Sequence, residues 1–259
     1  MIRVLVTGAN GQLGKSIQKI ASDYPGLEFF FKTSKDLDIT DANKVAKVME
    51  DGHYHYCING AAYTNVEKAE NEEKKAFSVN AEGVRNVAES CLKNNVTLLH
   101  ISTDYVFDGE KKEPYSIKDK PNPINVYGTS KLKGEEYIRK ILRRYIIVRT
   151  SWLYSEFGNN FYNTILRKAK TEIVLQVTDK QKGCPTHAGN LAKYILDLID
   201  SGSKHYGIHH FTDGEAMTWH GFAKKILREN GFEEKVRLEK AENYRTFARR
   251  PKNSVLKSE

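Results

Sequence analysis

The strongest constraint on this chain stands at its beginning. The apolar run IRVLVT, residues 2–7, breaks at Gly8 into the stretch TGANGQLG, which spaces Gly8, Gly11 and Gly14 three residues apart. The segment QLGKSIQKIASDY follows, with Leu13, Ile17, Ile20 and Ala21 at helical spacing. A strand that turns through glycines into a helix lets backbone approach a pyrophosphate without Cβ collisions. It also aims free helical N–H groups at the phosphates. The pattern alone is common; its place between a first strand and a first helix predicts a dinucleotide site.

The rest of the chain keeps that rhythm. LEFFF, YHYCIN, VTLLHI and YIIVRT read as further strands, and ANKVAKVMEDG and SKLKGEEYIRKIL as helices. Thr40 or Asp41 is the expected N-cap of the second helix, and Gly52 its end. A helical stretch from about Val66 to Lys93 is expected to break near Ser78–Asn80. Alternating strands and helices predict an α/β fold, a doubly wound parallel Rossmann sheet with helices on both faces. Beyond residue 150 the alternation loosens. We expect residues 1–150 to form the nucleotide-binding domain and residues 151–259 a small mixed α/β C-terminal lobe that binds substrate.

Composition removes several alternatives. Among 259 residues, 39% are hydrophobic and 29% charged, as in a water-soluble globular protein. The net charge of +8 comes from lysines scattered beside glutamates, as in NEEKKAF, without an arginine-rich tail. It predicts a solvated basic surface suited to an anionic small substrate, with no nucleic-acid partner. No apolar window reaches the length of a membrane span, and no signal peptide is read at the N-terminus. The three cysteines, Cys57, Cys91 and Cys184, form no CxxC pair and point to a reducing, cytoplasmic compartment.

The second strand bears on cofactor choice. An acid at its end would bind the ribose 2′-hydroxyl of NAD. Here Lys32, Thr33, Ser34 and Lys35 follow the aromatic run, and Lys32 with two hydroxyls suits a 2′-phosphate. NADP(H) is therefore favoured, with NAD(H) the alternative. Asp38 and Ile39 lie where adenine could sit, although Asp38 would equally serve as a turn or cap. Ala61 and Ala62 are small residues at a strand end, suited to a passing cofactor or to tight strand–helix packing.

Chemistry concentrates later. STDYVFDG, residues 102–109, ends a buried strand, and VYGTSKLKGE places Tyr127 and Lys131 one helical turn apart. A free tyrosine has a pKa near 10. A neighbouring ammonium would lower that value and fit Tyr127 for proton transfer. Thr103 would hydrogen-bond the substrate oxygen. Tyr105 has Gly109 rather than a lysine four residues on, so it is placed on the cleft wall.

Together TGANGQLG, STDYVF, YGTSKLKGE, RTSWLY, GNNF and ARRPKNS resemble, in order and over nearly the whole chain, the dTDP-4-dehydrorhamnose reductase family of extended short-chain dehydrogenase/reductases. The resemblance implies hydride transfer from NAD(P)H to the 4-keto group of dTDP-4-dehydro-L-rhamnose, giving dTDP-L-rhamnose for polysaccharide biosynthesis. It implies Tyr127 as proton donor, Lys131 as its partner and Thr103 as the substrate-side hydroxyl. Gly11, Gln12 and Leu13 resemble the family's cofactor loop, and Asp38, Ile39, Ala61, Ala62 and Tyr63 its other cofactor contacts. Thr103, Asp104, Trp152 in RTSWLY and Asn160 in GNNF are placed against the substrate. Dimers are common in the family, so a homodimer is one expected state.

Three departures qualify the resemblance. Lys32 stands where the family often carries an acid. Family chains generally continue past the RRP motif with a further helical segment, whereas this sequence stops at Glu259, soon after Pro251, so the lobe is expected to be truncated at its C-terminus. Some members bind Mg²⁺ through glutamates at a dimer interface, but Lys15 and Ser16 occupy the matching positions, and no metal is expected. A 4,6-dehydratase would typically show an Asp–Glu pair after the threonine, whereas Tyr105 follows Asp104. A nucleotide-sugar 4-epimerase with the same triad stays open. So does a non-catalytic module like the regulatory subunit of methionine adenosyltransferase.

Overall fold

The structure is a computed structural model that describes residues 1–242 and 246–258. The first half alternates as the apolar runs require: β1 (Ile2–Thr7), α1 (Gln12–Ile20), β2 (Leu27–Lys32), α2 (Ala42–Gly52) and β3 (Tyr56–Asn59). The stretch expected to be one broken helix is α3 (Val66–Ala69), α4 (Glu73–Phe77), a π-helical turn (Ser78–Gly83) and α5 (Val84–Lys93). The break falls at the π turn, with a further interruption before α4. Then come β4 (Thr97–Thr103), α6 (Val126–Ile141) and β5 (Tyr145–Thr150). Asp41 caps α2, its side chain accepting from Lys44 N.

The remainder comprises β6 (Leu153–Tyr154), α7 (Phe161–Ala169), β7 (Val174–Val177), β8 (Lys182–Gly183), β9 (Thr186–His187), α8 (Ala188–Asp200), β10 (Gly207–His210), β11 (Met217–Thr218), α9 (Trp219–Glu229) and β12 (Arg237–Lys240). Six strands form one sheet in the order β10-β5-β4-β3-β1-β2, every pair parallel. Strand direction alternates side chains between faces. Leu5, Cys57, Leu98 and Ile147 pack on one face against Val45, Met49, Val87 and Ile138 of α2, α5 and α6. Val4, Val6, Ile58, Leu99 and Val148 pack on the other against Ile17, Leu191 and Ile195 of α1 and α8. The sheet is thus covered on both faces, as a doubly wound fold requires.

Residues 151–242 and 246–258 divide between two tasks. α8 and β10 belong to the sheet, while α7, α9, β7 and β12 gather a separate small core around Ile165, Leu175, Phe222 and Ile226. The segment after residue 245 returns to the sheet side: Leu256 bridges Tyr115 and packs with Phe107, and Ser254 N donates to Lys182 O at 2.8 Å. The three cysteines are buried and unpaired with one another. Among the described residues no helix is long and apolar enough to cross a membrane.

Candidate active site

Strand order reverses between β1 and β3: from β1 the chain crosses outward to β2, then returns past β1 to β3 and continues the other way. A crevice opens at such a switch point, beyond the carboxyl ends of parallel strands. Here it is a cleft of about 840 Å³ between the sheet and the small core of α7 and α9. Every site residue expected from sequence lines it except Lys32.

The glycine loop forms one wall. Gly8 has φ +68°, and a Cβ there would lie 2.6 Å from Gly60 C, so only glycine lets the loops after β1 and β3 meet. Gly11 begins α1 in extended geometry with no side-chain cap, leaving the first-turn N–H groups for a ligand. This cradle fits a dinucleotide's phosphates. Gln12 ties the loop to the smaller lobe: its Oε1 accepts from Asn160 Nδ2 at 2.7 Å and from Ser155 Oγ at 3.1 Å. Leu13 and Gly14 complete the turn on the wall.

Next to the loop lies the segment after β2. Ser34, Asp38 and Ile39 line the cleft, while Lys32 does not. The Lys32 carbonyl instead accepts from Ala9 N at 3.1 Å. Asp38 works as a turn cap, its Oδ1 accepting from Thr40 N at 2.9 Å and from the Thr40 hydroxyl at 2.8 Å. Ala61, Ala62 and Tyr63 lie on the wall after β3. Asn80 holds them there: its Oδ1 accepts from Tyr63 N at 2.8 Å, and its Nδ2 donates to Tyr63 O at 2.9 Å and to Ser130 Oγ at 3.0 Å. Asn80 is fully buried in the π turn. A π turn inside a helical run is a frequent mark of a functional site.

Thr103, at the end of β4, donates to Asp104 Oδ1 at 3.0 Å. Burial pushes the Asp104 carboxyl up to about 7, against the lowering effect of the Ser254 and Thr103 hydroxyls. Tyr127 lies opposite on the first turn of α6. Its ring meets Tyr105 edge to face at 5.8 Å, and the Tyr105 hydroxyl accepts from Arg250 Nη1 at 3.1 Å. Arg250 is in turn held by Glu67 Oε1 at 2.6 Å.

Lys131 is 2% exposed, and its Nζ donates to Ile101 O at 2.6 Å. Desolvation lowers its pKa to about 8, while Glu135 acts in the opposite direction. The Tyr127 phenol is raised rather than lowered: burial outweighs the Thr103 hydrogen bond, and the Asp104 and Tyr105 charges add to it. The ammonium is held toward β4 by Ile101, which leaves burial as the dominant influence on the phenol.

α6 is pinned to the sheet by a buried ion pair. Arg149 of β5 reaches Glu135 through Nε at 2.9 Å and Nη2 at 2.6 Å, and Ser102 Oγ donates to Glu135 Oε1 at 2.5 Å. A two-pronged pair of this kind fixes orientation as well as position. It sets the height of α6, and with it Tyr127 and Lys131, against the strand that carries Thr103.

On the lobe side Trp152 adopts φ +47° and stacks on Trp219, with ring centroids 3.5 Å apart. Trp219 Nε1 donates to Gln181 Oε1 at 3.0 Å. Asn160 lines the cleft, but its amide is engaged by protein: Oδ1 caps α7 by accepting from Asn163 N at 2.9 Å, and Nδ2 donates to Gln12 Oε1 and to Ser155 O. Among the described residues no group of His, Cys, Asp or Glu side chains is arranged to hold a metal ion.

Sequence reading did not single out Asn80, Trp219, Glu135, Arg149 or Arg250 as site residues. A buried asparagine at a helix break was the one local signal available, for Asn80. The others reach the site through contacts distant in sequence.

A glycine-loop cradle that shares one crevice with a strand-end threonine and a helical Tyr-x-x-x-Lys defines the extended short-chain dehydrogenase/reductase class. The comparisons narrow it. Residues 2–259 match the family model described as the RmlD substrate binding domain. The chain is 39% identical to a dTDP-4-dehydrorhamnose reductase from Aggregatibacter actinomycetemcomitans, over 99% of this chain and 90% of the relative. A crystal structure of a dTDP-4-dehydrorhamnose reductase from Clostridium acetobutylicum superposes with a TM-score of 0.94 at 39% identity, covering 99% of this chain and 90% of that one. The enzyme of the same name from Bacillus anthracis, solved in complex with NADP, gives TM-score 0.94 and 39% identity over 100% of this chain and 92% of that one. The chain belongs to the RmlD substrate binding domain family.

Proposed function

We propose that this protein is a dTDP-4-dehydrorhamnose reductase, which reduces the 4-keto group of dTDP-4-dehydro-L-rhamnose to dTDP-L-rhamnose with NADPH favoured over NADH. The observation that carries this reading is the convergence of Thr103, Tyr127 and Lys131 on one cleft, in a chain 39% identical to a reductase of that name over 99% of its length. The relative in complex with NADP supports the cofactor choice.

When bound, the nicotinamide cofactor supplies the hydride. The first-turn N–H groups of α1 receive its phosphates, and the small Gly60–Ala62 loop gives it room. Thr103 donates to the substrate carbonyl oxygen, and Tyr127 delivers the proton that this oxygen needs. The raised pKa of Tyr127 keeps the phenol protonated at neutral pH, as a proton donor must be. Lys131 stabilises the phenolate left behind and holds the cofactor ribose. Asp104 and Trp152 face the sugar nucleotide.

In this reading residues 1–150 form the nucleotide-binding domain, with α8 and β10 completing its sheet and cover. The substrate lobe is built around α7, α9, β7 and β12. The buried thiols suit a cytoplasmic enzyme, and a homodimer is the assembly we favour.

The direct assay is NADPH consumption with dTDP-4-dehydro-L-rhamnose, with the product identified by mass. Turnover with a mass gain of two hydrogens, one delivered as hydride and one as a proton, is expected. Tight NADPH binding without turnover would sink the reductase reading and leave a binding module.

A further inference from the structure

The ARRPKNS motif, residues 248–254, runs past the start of α6 without lining the cleft. Glu67 of α3 gathers its first half. Oε2 accepts from Phe247 N at 2.9 Å and from Ala248 N at 3.2 Å, and Oε1 accepts from Arg250 Nη2 at 2.6 Å. Burial pushes the Glu67 carboxyl up, but these hydrogen bonds and the Arg250 charge hold it below its usual range. Further along, a Cβ on Gly109 would stand 2.6 Å from Pro251 Cα, so the motif is also seated against the loop after β4.

This segment and α3 together hold the first turn of α6. Asn125 Nδ2 donates to Arg249 O at 2.8 Å, while its Oδ1 caps the helix by accepting from Gly128 N at 2.7 Å. Glu70, which follows α3, accepts from Val126 N at 2.9 Å. Val126 and Gly128 are the two neighbours of Tyr127 in the chain.

A second route reaches the Tyr127 ring itself. Arg250 Nη1 donates to the Tyr105 hydroxyl at 3.1 Å, and the Tyr105 ring meets Tyr127 at 5.8 Å with 75° between their planes. A guanidinium is a flat, rigid fork, so its bonds to Glu67 and Tyr105 fix direction as well as distance. Aromatic rings packed edge to face hold each other's orientation. Tyr105 is 7% exposed, which leaves its ring little room to move.

We propose that Arg250 is a positioning residue for proton transfer: held by Glu67, it fixes the Tyr105 phenol, whose ring sets the angle at which Tyr127 presents its hydroxyl to the substrate oxygen. The inference rests on the role given above to Tyr127.

Arg250→Met keeps an unbranched side chain and removes the fork. It is expected to lower kcat about 10- to 100-fold, the cost of a misplaced reacting group, with KM for the nucleotide-sugar within about threefold of the unmodified protein. Tyr105→Phe keeps the ring and removes the hydroxyl that Arg250 grips. It should lower kcat by a similar factor, and the double variant should fall no further than either single one, because both break one linkage. The solvent deuterium isotope effect on kcat should rise in all three, since the proton step is the one slowed. A rise in KM of about tenfold or more at unchanged kcat would make Arg250 a contact for the substrate's phosphates and overturn the proposal. Losses that multiply in the double variant, or an unmoved isotope effect, overturn it as well.

Tyr105→Phe, which removes one oxygen, covers the case in which Arg250→Met does not fold. ¹³C NMR of labelled tyrosine rings reads the placement without turnover. Each single variant should shift the Tyr127 ring signals, which are identified by their loss in Tyr127→Phe. Unshifted signals overturn the proposal. Absence of turnover by the unmodified protein, with those signals shifted in the variants, would count against the reductase reading alone.

Discussion

α6 passes so close to Tyr105 that a Cβ added to Gly128 would stand 2.1 Å from the Tyr105 carbonyl oxygen. Gly128 follows Tyr127 directly, so this contact sets how near the phenol comes to Thr103. Gly128→Ala must push α6 away from rigid backbone. We expect a stability loss of about 1–3 kcal/mol, the usual cost of overpacking, and a fall in kcat larger than any change in KM. Denaturant unfolding and steady-state kinetics check the two parts. A variant with native stability and kcat would show that the approach is not needed.

Tyr127→Phe removes the proton donor and little else. Reductase kcat/KM should drop by about 10²–10⁴-fold, the range general acid catalysis supplies. NADPH affinity, read by cofactor fluorescence, should stay close to that of the unmodified protein. Turnover at the original rate would mean that the proton comes from another group.

Asp104 gives a pH signature. Its carboxyl is raised from 3.8 to about 7, so between those values the folded protein holds a proton that the unfolded chain has released. Stability contributed by this group is present below pH 3.8 and is lost as pH rises toward 7. Asp104→Asn removes the titration. The stability of the variant relative to the unmodified protein should therefore improve as pH climbs through that window. Urea unfolding at several pH values measures it, and a flat difference would refute the raised carboxyl.

Cofactor preference should respond to Ser34 more than to Lys32, because Ser34 lines the cleft and Lys32 does not. Ser34→Asp places a carboxylate where a 2′-phosphate would be repelled and a ribose hydroxyl accepted. The ratio of kcat/KM for NADPH to that for NADH should fall at least about tenfold. Lys32→Asp should change it less, through charge at longer range. The reverse ranking would place the phosphate against Lys32.

These residues show what the sequence made legible. The glycine loop, the alternating strands and helices and the Tyr127–Lys131 spacing are local patterns, and each stands in the structure where its period put it. What stayed hidden is held by long-range contacts. Arg250 reaches Tyr105 and Glu67, and Arg149 reaches Glu135, with no local periodicity to announce either pair. Ser34 and Lys32 differ only in which way the chain turns as β2 ends, which composition does not encode. The direction of the Tyr127 shift was also hidden. Charge proximity could be inferred from spacing, but the burial that outweighs it depends on the packed lobe.

The indole stack on the lobe side has a practical consequence. Trp152 and Trp219 are the only two tryptophans in the chain, and both line the cleft. All of the protein's indole absorption and emission therefore arises at the site, from rings parallel to within 4°. Transitions on two such rings couple, so the stack should have an ultraviolet circular dichroism signature of its own. A ligand that parts or tilts the rings reports its arrival without an attached dye, and the protein carries its own optical gauge of occupancy.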